Sequence, residues 1–430
     1  MRKALYVGIC GITLAVVGGV VGQANASVLN DSPKVDQAAG QEVTVSTFSE
    51  LSTALKDTGV GSIKIGGDIT FTGSILDIPQ RAITIDGQGH SLKLQYFLMT
   101  GALGAAGGTL TIKNATITNL DALGNPVAAF FVTPSENWAV NVAGGVDYTG
   151  ERFLEVQNSV VTFSGKNMVH TSAENAWVRS INFASSSEYT STAATEGEFA
   201  AFYFNGDLVG GKAVGKVKVD TQAKVNITVS PNNDSEFYYP AFYDKVDRVD
   251  VNEGATLNIT AAGHALQFIP RGDYDEVPSV NVEKGGTLHL VGHGTANYST
   301  INFQQPNSQL NAKEGSTLYI EGKGNKVIET AKNSIINITN ADYDLRNSTA
   351  GSPIFECQNT FLNFSGVTMS VWDKTGGDYS GLPMFAWNTL KLSTIIQNGD
   401  SFNTTSTDDA AQQYFHSILF GRISGIVTKP

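Results

Sequence analysis

Hydrophobic and polar positions alternate along this chain in short runs, and the runs recur. Val217-Lys-Val-Asp-Thr-Gln-Ala-Lys-Val-Asn-Ile227 returns as Val249-Asp-Val-Asn-Glu-Gly-Ala-Thr-Leu-Asn-Ile259, as Val280-Asn-Val-Glu-Lys-Gly-Gly-Thr-Leu-His-Leu290 and as Leu310-Asn-Ala-Lys-Glu-Gly-Ser-Thr-Leu-Tyr-Ile320, at offsets of 32, 31 and 30 residues. Within each unit the apolar residues fall two apart, the period of a strand with one face inward, on both sides of a short turn that is usually glycine-bearing. A second phase, Phe242, Phe268, Phe303, Phe355 and Phe385, recurs between the units, so like residues are expected to stack. A near-constant period of about 30 residues suits a solenoid whose turns bury their inner faces only against neighbours; a propeller blade needs roughly 40–45 residues. The same texture appears upstream in Ala82-Ile-Thr-Ile-Asp-Gly and downstream in Phe361-Leu-Asn-Phe-Ser-Gly. Glycine and asparagine at the corners supply the left-handed backbone that repeated bends demand. The expectation is an all-β, single-stranded parallel β-helix over residues 82–430, with polar side loops near 186–198 and 401–413.

An open solenoid end exposes unpaired strand groups. Thr47-Phe-Ser-Glu50 reads as a capping box opening a short helix through Leu51, Ala54 and Leu55, so residues 46–81 are expected to hold an N-terminal cap and the first turns. Residues 1–26 read as a secretory signal, with Arg2 and Lys3, an apolar run and Ala24-Asn25-Ala26 as the cleavage site. Residues 27–45 read as a polar spacer, and no later run is apolar for long enough to span a bilayer. Ile426-Val427-Thr428-Lys429-Pro430 shows no sorting motif, which leads to the expectation of indirect attachment or of a longer parent chain.

Composition narrows the function. Of 430 residues 16% are charged and 41% hydrophobic, so the chain folds. A net charge of -12, from 28 basic and 40 acidic residues, removes nucleic acid as a partner, because phosphate contacts need a concentrated basic face. Loss of Cys10 with the signal leaves Cys357 with no intramolecular disulfide partner.

The run Val45-Ser-Thr-Phe-Ser-Glu-Leu-Ser-Thr-Ala-Leu55, then Ile63-Lys-Ile-Gly-Gly-Asp-Ile69, then Ile83-Thr-Ile-Asp-Gly-Gln-Gly-His-Ser-Leu92 resembles the opening of the pectate-lyase-like adhesive domains of Gram-positive bacterial surface proteins. The resemblance extends over roughly residues 43–400 and implies a right-handed parallel β-helix at, or released from, the cell surface. Relatives often carry a wall-anchoring or wall-binding module. Trp372 and Trp387 lie outside a W-x-L context, so no such module is expected here.

The same fold hosts polysaccharide lyases and hydrolases, so activity has to be argued from sites. A uronate lyase needs a basic residue beside acidic calcium ligands, and no Arg or Lys cluster adjoins such a run. Asp342 and Asp344 share strand parity at ~7 Å, close to hydrolase carboxylate spacing, yet Asp is also an ordinary turn residue. Gly292-His293-Gly294 precedes Asp408-Asp409, and Arg422-Ile423 follows, an order that does not fit the polygalacturonase pattern. His289 and His293 stand too far apart along a strand to share one metal. The groups Asp244, Asp247, Asp250 and Asp273, Asp275, Glu276 lack the spacing of an EF-hand loop. No metal and no cofactor is expected. Arg271-Gly272-Asp273, after Pro270, is the tripeptide many integrins recognise on an exposed turn, weighed against a plain solvated loop. Tyr238, Tyr239 and Tyr243 beside Pro240 form the densest aromatic patch. The expected function is a non-catalytic, extracellular or wall-associated adhesin. Its partner would be a glycan, a protein receptor or another wall-bound surface protein; the alternative is a carbohydrate-active enzyme on the same fold.

Overall fold

The computed structural model describes residues 40–428 apart from 73–75, 96–98, 104–106, 135–137, 194–199, 208, 230–239, 294–297, 325, 398–400 and 417–418; residues from Ala38 onward form one compact unit. The expected signal and most of the spacer lie outside the described residues. Among the described residues thirty-six strands join in one hydrogen-bonded sheet, and most of its pairs are parallel. It winds as three columns. The first begins with Gln41–Val45 on Val60–Ile65 and ends with Ile335–Thr339 on the start of Thr360–Asp373. The second runs from Ile69–Thr70 on Ser91–Lys93 to Thr317–Gly322 on Asp342–Asn347. The third runs from Leu76–Ile78 on Met99–Gly101 to Ile328–Thr330 on Phe355–Cys357. Gln41–Val45, expected as spacer, is therefore the first strand: its Val45 faces the core, and alternation sets in before the cap helix.

The repeat read in the sequence is the register of the solenoid. Val217, Val249, Val280 and Leu310 stand in line in the first column, and Val225, Leu257, Leu288 and Leu318 in the second. All eight are buried. Between these columns Gln222, Gly254, Gly285 and Gly315 take positive φ, followed by Asn340. Their amides reach along the axis, Gly285 N donating to Gly315 O at 3.1 Å and Gly315 N to Asn340 O at 2.7 Å. Only a residue tolerant of the left-handed region fits such a corner. In the third column Phe268 pairs with Phe303, rings 5.2 Å apart. Phe242 pairs instead with Leu266.

Polar side chains also stack. On the outside of the first column Asn311 Nδ2 donates to Asn281 Oδ1 at 3.0 Å, Asn337 to Asn311 at 2.8 Å and Asn363 to Asn337 at 2.8 Å, while Asn281 donates to Asp250 at 2.9 Å. Ser393 Oγ donates to Asn363 at the far end, so every donor points the same way and the chain ends on a carboxylate also held by Arg248. Asn311→Ala strands the amide of half-buried Asn337 and the carbonyl oxygen of buried Asn281. It is expected to lower stability by about 1–2 kcal/mol. Chemical denaturation checks this, and an unchanged midpoint would show that water replaces the link.

The two ends are closed differently. At the N-terminal end helix α1 (Phe48–Lys56) carries the expected capping box: Thr47 Oγ1 accepts from Glu50 N at 3.3 Å and Glu50 Oε2 accepts from Thr47 N at 3.1 Å. Leu51, Ala54 and Leu55 are buried, and Arg81 donates to the carbonyls of Ala54 and Leu55. At the C-terminal end parallel winding stops, correcting the expectation of a β-helix to residue 430. Thr360–Asp373 runs antiparallel to Phe385–Gln397 and to Phe420–Gly425, and the latter also lies antiparallel on Asp342–Asn347. Reversal consumes the strand edge that another parallel turn would re-expose. Phe385 therefore stands outside the phenylalanine column, stacked on Trp387 and Tyr414.

The expected side loops are corrected over their described residues; residues 194–198 of the first lie outside them. Glu188–Ala193 is a strand of the second column, its polar residues alternating with buried Tyr189, Ser191 and Ala193. Ser401–Ser406 pairs with Phe385–Gln397, and Asp409–Tyr414 forms helix α2, with Asp408 as its N-cap. Cys357 is free and buried. Among the described residues no helix is long and apolar enough to cross a membrane.

Candidate binding faces

Because the interior is filled by alternate side chains of every strand, any site must be built from the outward set. The carboxylates weighed as catalytic are engaged in structure. Asp344 accepts two bonds from Arg422, each 2.9 Å, and Asp342 accepts from Val427 N at 2.8 Å, so both tie the antiparallel closure to the solenoid. Asp408 accepts from Ala411 N at 2.9 Å as a helix cap. Glu321 is held by Arg346, Ser348 and Tyr319, which draw its carboxyl down to about 2 against the opposing effect of burial.

His264 has the one serine neighbour that invites comparison with a nucleophile pair. Its Nδ1 lies 2.5 Å from the carbonyl oxygen of Ser299, which makes Nδ1 the donor, and Asn302 Nδ2 lies 3.4 Å from Nε2. The ring is buried, which pushes it down to about 4. Ser299 Oγ, 3.4 Å from a nitrogen already carrying its proton, finds no base there. His289 packs edge-on to Tyr319 with centroids 4.3 Å apart, and His293 is exposed.

Of the acidic groups weighed as calcium ligands, Asp244, Asp250, Asp273 and Glu276 are held by arginines or lysines, while Asp247 is buried with no hydrogen-bond partner on its carboxylate. Arg248 holds Asp250 and Glu276, Lys216 also reaches Glu276, and Arg271 holds Asp244. Among the described residues no three His, Cys, Asp or Glu side chains gather closely enough to hold a metal ion. Arg271, Gly272 and Asp273 lie at the corner between the third and first columns. Arg271 Nε and Nη2 donate to the two carboxylate oxygens of Asp273 at 2.8 and 2.6 Å, and Nη1 donates to Asp244 at 3.1 Å. The two charges of the tripeptide are thus paired with each other. The loop is pinned further by Ala213, whose N donates to Asp273 O at 2.6 Å.

An outward aromatic row runs along the third column of strands. Glu155, Trp177, Tyr203 and Tyr243 are in line on successive strands. Trp177 and Tyr203 meet edge-to-face with centroids 5.6 Å apart, Tyr203 and Tyr243 lie at 5.4 Å with planes 27° apart, and all three rings are half-buried. Arg152 lies 4.2 Å from the Trp177 ring and is held by Glu174 and Glu155. Sequence reasoning found Tyr243 but placed it with Tyr238 and Tyr239, which lie outside the described residues. It missed Trp177 and Tyr203 because their partners are 26 and 40 residues away. The signal that could have found them is the phase of the buried phenylalanines one residue before each tyrosine, Phe202 and Phe242. Trp372 lies under Arg422 at 4.5 Å and donates to Gly381 O, while Trp387 is buried.

Residues 42–155 match the family model described as "Putative pectate lyase-like adhesive domain". No curated protein matches the chain. Among solved structures, one titled "L. reuters 100-23 SRRP" is 14% identical with a TM-score of 0.41, over 76% of this chain and 98% of that one. Another, titled "L. reuteri 53608 SRRP", is 16% identical with a TM-score of 0.31, over 73% and 95%. The stretch that is similar to that family, residues 42–155, forms the first turns of this β-helix.

Proposed function

We propose that the protein is a non-catalytic, adhesin-like rod, displayed at or released from the cell surface, that holds an extended glycan against its outer face. The observation that carries this reading is the column Trp177, Tyr203 and Tyr243, half-open on the outside of a sheet whose interior is already filled by Phe202, Phe204 and Phe242. Rings in that position are not needed to complete the core, and large rigid aromatic surfaces with polar edges suit sugar faces and hydroxyls. The column repeats at the strand spacing, near the length of one sugar unit in an extended chain, so weak contacts add along the rod and again across many copies on a cell. The adhesive-domain match over residues 42–155 supports the same reading.

Surface-coupled mucin and plant and microbial polysaccharides give the test. The purified chain is expected to bind at least one of them, and Trp177→Ala with Tyr203→Ala to weaken that binding about tenfold with thermal stability little changed. No binding by the parent chain, or equal binding by the double variant, would overturn the proposal.

A further inference from the structure

Resting on that reading, we infer that the outer face of the third column takes a glycan bearing anionic groups, with Arg179 as the cation that recognises them. Two residues beyond each aromatic, where the third column turns toward the first, stand Arg179, Asn205 and Lys245, after Trp177, Tyr203 and Tyr243. Arg179 is half-exposed, and among the described residues it has no ion pair and no side-chain hydrogen bond. That sets it apart on a face where Arg152 is held by Glu174 and Glu155, and Arg271 by Asp273 and Asp244. Lys245 donates to the carbonyls of Gly206 at 2.6 Å and Asn205 at 3.5 Å, with Asp244 and Asp273 near enough to feel its charge.

The backbone holds this corner firmly. A Cβ on Gly206 would lie 2.4 Å from the carbonyl oxygen of Gln157 and 3.0 Å from Cβ of Arg179, so only glycine lets the next turn close over this point. Asn205 Nδ2 donates to Gln157 Oε1 at 3.2 Å, and Asn158 binds Asp207 through its side chain. Arg179 thus rises from a fixed base beside Trp177. A guanidinium next to an aromatic ring matches a sugar whose ring stacks and whose carboxylate or sulfate takes two N–H bonds. In a chain of net charge -12, an unpaired arginine two residues beyond an aromatic column is a local exception to the surrounding field.

Binding of the full chain to alginate, heparin and dextran tests this, with parent, Arg179→Gln, Arg179→Lys and Trp177→Ala compared and melting temperatures as controls. The parent is expected to bind alginate or heparin. Arg179→Gln should lose about tenfold or more in affinity and Arg179→Lys only part of it, with dextran unaffected by either. Alginate alone identifies a carboxylate ligand and heparin alone a sulfate ligand. Trp177→Ala weakening binding while Arg179→Gln leaves it unchanged would overturn this inference and leave the proposed function standing. Failure of all three polymers to bind, or equal affinities for the neutral and the charged ones, would overturn it as well.

Discussion

Replacing Phe303 by alanine is expected to cost about 3–5 kcal/mol, the range for emptying a buried phenylalanine site. Phe303 is fully buried, ring-stacked on Phe268 and in register with Thr330 one turn on. Each turn of a solenoid buries its inner face only on its neighbours, so the cavity weakens two interfaces and cannot be filled by collapse from elsewhere. The loss should be local. Native-state hydrogen exchange should show protection falling by more than a hundredfold at the amides of Leu266–Phe268, Ile301–Phe303 and Ile328–Thr330, while the first turns beneath helix α1 change little. Phe361→Ala, at a position 37% exposed, provides the surface comparison and should cost well under half as much. Equal losses in the two variants would contradict a core built turn upon turn.

The second large effect concerns Asp247, whose side chain is fully buried with no partner on either carboxylate oxygen. It sits where the strand slips one residue against its neighbour, Gly215 pairing with Val246 and Lys216 with Arg248, so the extra residue is turned out of the ladder. Burial pushes its carboxyl up to about 7, with Glu276 and Asp275 adding to the rise and Lys216 opposing it. An acid whose folded value lies above its unfolded one is protonated in the fold and ionised in the open chain between those values. Its contribution therefore declines as pH rises from about 4 to about 7 and stays at its lowest above that. The whole span is of order 4 kcal/mol. Asp247→Asn, which cannot ionise, should match the parent near pH 4 and become progressively more stable than it up to pH 8. Thermal melts of both proteins across that range check the sign; parallel curves would mean that the carboxylate is ionised in the fold.

The fold was legible to the degree that neighbouring turns repeat one another. Val217, Val249, Val280 and Leu310 align in space as they align in the chain, because turn length there varies by only one residue at a time. The N-terminal cap was legible as well, since a capping box is a local hydrogen-bond pattern that needs no knowledge of the rest. Glu188–Ala193 was misread because its outward residues are Glu, Thr and Thr, and outward polarity resembles loop polarity when the inward residues are Tyr, Ser and Ala. The antiparallel closure left no periodic signal, for it pairs Asp344 with Ser424 across eighty residues. The aromatic column was hidden for a related reason. Trp177, Tyr203 and Tyr243 come from turns of unequal length, so their alignment exists only after the strands are in register. The Arg271–Asp273 pair depends on a side-chain choice that the tripeptide alone leaves open.

The central claim is that this solenoid holds a polymer and leaves its bonds intact. The most direct measurement incubates the purified protein with acidic and neutral polysaccharides, with and without calcium, following polymer retention, reducing ends and unsaturated products in the same samples. The predicted result is saturable retention with chain length, end count and ultraviolet absorbance unchanged. Growth of reducing ends or of unsaturated sugars with time, in proportion to protein added, would contradict it.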